Sequence, residues 1–111
     1  MKVLLDEDLP HQLRLLISGH DVFTVKYVGW KGLKNGALLG AAEAAGHDVF
    51  VTGDQNLPDQ QNRKGRRMGL VVLSAQKIRE LRPHIRKIEE AVDRSGPESI
   101  QFVDCSVLRE Q

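Results

Sequence analysis

The chain has 111 residues and a mass of 12.4 kDa, enough for one hydrophobic core and too little for two independently folded halves. Hydrophobic residues at 41% and charged residues at 28% are ordinary for a folded domain and exclude a disordered one. The formal net charge of +1 conceals a segregation: residues 1–59 hold five basic and eight acidic side chains, 60–87 nine and one, and 88–111 two and six.

A chain charged in blocks can turn a positive stripe toward a polyanion even though its total is near neutral. The single cysteine, Cys105, excludes an internal disulfide and fits a reducing compartment. The four histidines lack the close spacing of structural zinc sites. Apolar runs such as Leu70–Leu73 are too short to cross a bilayer, so no membrane role is expected. Met-Lys-Val-Leu-Leu runs directly into Asp6-Glu7-Asp8, unlike a secretory signal. The expectation is an unprocessed, cytoplasmic protein.

Strand-like and helix-like stretches alternate along the chain. Residues 2–5 form a first strand, and a helix is expected from Asp8 or Leu9, with Pro10 in its first turn where a missing N–H does no harm. Ser18-Gly19 ends that helix and residues 21–25 form the second strand. Asn35 is a good N-cap for an Ala/Leu-rich helix over 36–45, closed by Gly46. Residues 48–52 form the third strand, and a polar helix is expected from Asp54 to about Lys64. Gly69–Leu73 reads as a strand buried on both faces. A last helix over 77–94 is bent or interrupted at Pro83. Residues 1–94 are thus read as one domain and 95–111 as an extension, with an edge strand at Ile100–Val103 or a frayed tail.

This alternation implies right-handed crossovers and a mainly parallel four-stranded sheet, order 2-1-3-4, between two layers of helices. The pentapeptide Gly-His-Asp-Val-Phe occurs at 19–23 and again at 46–50, each time where a helix gives way to a strand. It reads as one loop solution used twice, and His20 and His47 as loop residues. In such sheets a site forms beyond the carboxyl ends of the strands, where the order reverses. Here that point lies between strands one and three.

Acids gather there. Strand one ends in Asp6-Glu7-Asp8 and strand three in Thr52-Gly53-Asp54-Gln55-Asn56. Carboxylates brought together repel, and a hard cation such as Mg²⁺ or Mn²⁺ resolves the conflict. Asp8 is better explained as a helix N-cap and Asp6 as a ligand, while Asp54 suits either role. Asn35, at its helix start, can face the site; Glu43, about 12 Å further along the axis, cannot. The run Arg63-Lys64-Gly65-Arg66-Arg67 falls at the opposite end of the sheet. Lys77, Arg79 and Arg82 begin the last helix on the site side and are better placed to hold a phosphate backbone. Phe23 and Trp30 are expected to be buried and Tyr27 is undecided.

Val3-Leu4-Leu5-Asp6-Glu7-Asp8-Leu9-Pro10 is similar to the L-L-D-E-N-L-P opening of short, stand-alone PIN-like proteins related to VapC toxins and to the Mut7-C group. Thr52-Gly53-Asp54-Gln55-Asn56-Leu57 resembles their T-x-D-x-[DN]-[FL] signature, and Gly29-Trp30, Asn35-Gly36 and Gln60-Gln61-Asn62 extend the likeness to about residue 75. The resemblance implies a three-layer, Rossmann-like PIN fold and a metal-dependent ribonuclease, often the toxin of a toxin–antitoxin pair. Family roles fall on Asp6 and Asp54 as catalytic, metal-binding acids, with Glu7, Asp8, Asn35 and Asn56 in support. Many relatives carry an acid at Asn35 and another near Asn56, and an Asn where Asp8 stands.

The expected activity is hydrolysis of RNA phosphodiesters by a water activated on Mg²⁺ or Mn²⁺, with Lys77, Arg79 and Arg82 gripping the backbone. RNA and a cognate antitoxin protein are the expected partners, and a homodimer is compatible with this reading. The alternative is a weak or inactive PIN-like module that binds RNA or a protein partner without turnover. A receiver-like phosphoacceptor also draws on acids at strand ends, but Lys77 is only loosely placed for it.

Overall fold

The computed structural model describes residues 1–62 and 64–106. Five strands, β1 (Lys2–Leu5), β2 (Asp21–Thr24), β3 (Val49–Thr52), β4 (Gly69–Leu73) and β5 (Ile100–Val103), form one sheet in the order β2-β1-β3-β4-β5. Every neighbouring pair is parallel, with Leu4 opposite Phe50 and Phe50 opposite Leu70. The sheet therefore has five strands and not four. Its fifth member is the expected edge strand, hydrogen-bonded to β4 over Leu70–Leu73 and Ile100–Val103. The tail expected beyond residue 106 lies outside the described residues.

The period-2 alternation of the strands sorts the core into two halves. Val3, Leu5, Val49, Val51, Val71 and Leu73 pack on one face with Leu13 of α1 (Leu13–Leu16), Leu81 of α4 (Ile78–Leu81) and Ile88, Ala91 and Val92 of α5 (Ile85–Arg94). Leu4, Phe50, Leu70 and Val72 pack on the other with Leu38, Leu39 and Ala42 of α2 (Asn35–Ala44) and Leu57 of α3 (Leu57–Gln60). Helices cover both faces, and β3 and β4 are buried along their whole length. Each fully buried Leu or Phe in these layers contributes about 1.5–3 kcal/mol relative to exposure. The core sits in the middle strands, which leaves their carboxyl ends free to hold loops.

The helices are shorter than their periodicity suggests. Residues 9–12 make turns, in which Leu13 N–H bonds Pro10 C=O and Arg14 N–H bonds His11 C=O, and α1 starts only at Leu13. α2 begins at Asn35, one residue before the expected start, with Lys34 as a cap that makes no side-chain hydrogen bond. α3 spans only Leu57–Gln60 and ends at Gln61, which is extended. The Gln/Asn run after it has no apolar stripe to dock a longer helix. Pro83 converts Arg82–His84 into a 3₁₀ turn between α4 and α5.

The repeated pentapeptide has one backbone and two settings. Gly19 (φ 83°) and Gly46 (φ 84°) take the same left-handed conformation. His20 bonds the Asp93 carboxylate at 2.7 Å and the N-terminal amine at 3.1 Å. His47 is buried, its ring 5.9 Å from that of Phe23 and 5.7 Å from that of Trp30. His47 thus lies in the loop between α2 and β3, as expected, but its side chain is buried.

Candidate functional site

The strand order reverses between β1 and β3, and the chain leaving both strands is acidic. Asp6 extends β1 by one bond, its N–H donating to Val51 C=O at 2.8 Å. That bond fixes its side chain between two donors: Thr52 Oγ1 donates to Oδ2 at 2.7 Å and Glu7 N–H to Oδ1 at 2.8 Å. The fully buried Thr52 hydroxyl also accepts the Asp54 N–H at 3.0 Å. One hydroxyl thus ties the two aspartates of the distant motifs to a common point. Asp54 Oδ1 accepts the Asn56 N–H at 2.9 Å, a turn that leads into α3.

Asp8 joins them from the other side. Its Oδ1 accepts the Gly53 N–H at 3.3 Å and its Oδ2 accepts from Gln76 Nε2 at 3.2 Å. Gln76, which follows β4, also donates to Gly53 C=O at 3.3 Å. Only glycine fits at position 53, because a Cβ there would lie 2.6 Å from Gln76 Cγ. The expectation that Asp8 caps a helix is corrected: α1 begins five residues later, and the carboxylate crosses to the β3 loop.

Electrostatics confirms the crowding. Burial raises the pKa of Asp6 despite the Thr52 and Glu7 hydrogen bonds, and the charges of Glu7 and Asp54 raise it further. Asp8 is pushed up to about 6, first by burial, then by the negative charges of Asp6 and Asp54. Among the described residues no ion pair engages any of the three carboxylates.

The other expected residues lie around this centre. Glu7 is exposed beside Asp6. Asn56 reaches Asp54 through its backbone N–H. Asn35 turns to α3, where its Nδ2 donates to Gln60 Oε1 at 3.2 Å, so its hydrogen bond does not go to the acids. Lys77 caps α4 directly after Gln76, and Arg79 and Arg82 follow, all exposed. Glu43 lies at the far end of α2, 3.7 Å from Arg66 and 3.5 Å from Arg67. Arg63 is outside the described residues. Phe23 and Trp30 are partly buried against the second half of the core.

A groove of about 710 Å³ is lined by Asp6, Glu7, Leu9, Pro10, Arg14, Lys26, Tyr27 and Lys31, among others. Sequence reasoning missed its three cations, which come from three separate segments and form no local run. Tyr27, left undecided from the sequence, is 79% exposed.

The donors at the carboxylate centre are all hard oxygens, the type that Mg²⁺ and Mn²⁺ prefer. Among the described residues no three His, Cys, Asp or Glu side chains form a ready cage for a metal. The set fits an ion held by one or two carboxylates, with the remaining positions on water and phosphate, the usual manner of Mg²⁺. Among the described residues no helix is long and apolar enough to cross a membrane. Compared with protein-family models, curated proteins and solved structures, the chain matches none.

Proposed function

We propose that the chain is a PIN-like, Mg²⁺- or Mn²⁺-dependent ribonuclease that hydrolyses RNA phosphodiesters at the carboxyl ends of β1 and β3. The observation that supports it is the meeting of Asp6, Asp8 and Asp54, none of which makes an ion pair among the described residues. Burial and the neighbouring negative charges raise the pKa values of Asp6 and Asp8, a cost that a fold without use for them would shed. The motif likeness to toxin nucleases points the same way and adds a cognate antitoxin as partner.

Asp6 and Asp54, helped by Asp8, would hold the ion. When bound, it neutralises these charges, polarises the phosphoryl oxygens and lowers the pKa of a water. The remaining work falls to the chain. Thr52 and the Glu7 N–H orient Asp6, and the Asn56 N–H orients Asp54, so neither rotates away. Asp8, whose pKa is pushed up to about 6 by burial and by the charges of Asp6 and Asp54, is the carboxylate whose ionisation a bound cation would favour most. Gln76 holds its Oδ2 in place.

The test is cleavage of a labelled RNA in Mn²⁺. EDTA is expected to abolish it, and Asp6→Asn or Asp54→Asn to reduce it by about a hundredfold or more. Cleavage in EDTA, or an unaffected Asp6→Asn variant, contradicts the proposal. A second reading, a PIN-like module that binds RNA without turnover, is favoured by the neutral Asn35 and Asn56 where many relatives carry acids. It predicts salt-sensitive association with no product, and no heat on titration with Mn²⁺.

A further inference from the structure

The groove beside Asp6 is lined by charges of both signs. Asp6 and Glu7 supply acids, and Arg14, Lys26 and Lys31 supply cations. Tyr27 stands on its wall with 79% of its surface in solvent, while its ring centroid lies 6.2 Å from that of Phe23 behind it. This ring is not a floppy ornament. Tyr27 N–H donates to Thr24 Oγ1 at 3.1 Å, Val28 N–H to Thr24 C=O at 3.2 Å and Gly29 N–H to Lys26 C=O at 3.2 Å. Gly29 closes the turn at φ 86°, a conformation that side-chain-bearing residues rarely adopt. The turn thus places Lys26 and Tyr27, both exposed, in the lining of one groove. A narrower recess against Arg14, Thr24 and Tyr27 continues the groove along the outer side of β2.

We infer that this groove binds an unpaired stretch of RNA, with a base stacked on Tyr27 and the flanking phosphates on Lys26, Lys31 and Arg14. Its volume lies within the range of clefts that take small molecules, about 300–1,000 Å³, and matches a nucleotide or two. A base in a duplex already has both faces covered by its neighbours, so an exposed ring selects bases that are splayed out. The cations attract the backbone, and Asp6 lines the same groove. The inference rests on the ribonuclease reading for the identity of the strand, but its binding needs neither metal nor turnover.

The test is fluorescence anisotropy in EDTA with a labelled 10-nucleotide uridine RNA and a 10-base-pair RNA duplex. The single strand is expected to bind more tightly than the duplex. Tyr27→Ala is expected to weaken its binding roughly tenfold, while Tyr27→Phe binds like the parent chain. Lys26→Ala and Lys31→Ala should each reduce the salt slope of log K by about 0.7. Equal or tighter duplex binding overturns the inference. So does a Tyr27→Ala variant within twofold of the parent, or a larger loss from Lys77→Ala or Arg79→Ala than from the groove lysines. Tyr27 binding without Mn²⁺-dependent cleavage removes only the nuclease reading; cleavage indifferent to Tyr27→Ala removes only the groove.

Discussion

Two clusters of charge lie at opposite ends of the same sheet. At the amino ends of the strands, Glu43 is flanked by Arg66 and Arg67, and its charge is compensated within the fold. At the carboxyl ends, Asp6, Asp8 and Asp54 gather with hydrogen-bond donors but, among the described residues, no ion-pair partner. Backbone and hydroxyl dipoles can orient a carboxylate, but they do not cancel its charge. The first cluster sets its acid within ion-pair distance of two guanidinium groups, though Glu43 Oε2 is buried without a hydrogen bond among the described residues, and the second is stable only to the extent that its repulsion is tolerated. Charge compensated from within serves the fold, and charge left over is available to a ligand.

This contrast can be broken by substitution. Glu43→Ala strips a mostly buried acid from the half-buried Arg66 and is expected to destabilise the fold by about 1–2 kcal/mol in urea unfolding. A neutral outcome would mean that the amino-end cluster is as dispensable as a surface pair. Asp8→Asn should act in the opposite direction. The folded pKa of Asp8, about 6, lies above its unfolded value of 3.8, so the folded chain binds more protons between these limits. The contribution of Asp8 is therefore most favourable below about pH 4 and is lost as pH rises through about 6. With solvent screening of a half-exposed group taken into account, Asp8→Asn is expected to gain about 1 kcal/mol at pH 7 and nothing at pH 4. Denaturant melts at the two pH values check the sign, and a loss at pH 7 would refute it. Arg67→Ala sharpens the comparison at its small end: its side chain is 78% exposed, so a change within about 0.5 kcal/mol is expected.

The sheet was readable because strands obey a short-range rule. The Leu-Val-Val-Leu run of β4 and the acid-terminated β1 announce both their type and their place, and glycine closes the helices before β2 and β3. α1 was misread at its start because Asp8 looks like a cap in the sequence, and only the folded chain shows its oxygen spent on Gly53. α3 was drawn too long because a polar run contains no signal for where packing stops. The meeting of Asp6 and Asp54 could be inferred from strand order, since topology alone brings two loops to one edge. The groove could not: Arg14, Lys26 and Lys31 are scattered singly, whereas the eye is drawn to the Arg/Lys run at the wrong end. Tertiary cationic surfaces leave no consecutive trace.

The duplicated pentapeptide separates two kinds of information. Its glycines fold identically, yet one imidazole grips a carboxylate and an amine while the other is sandwiched by rings, where burial lowers its pKa. Bend geometry is inherited from the five letters; proton affinity is lent by whatever surrounds them. Transplanted into another scaffold, this short word would bring its corner along and leave its acid–base character behind.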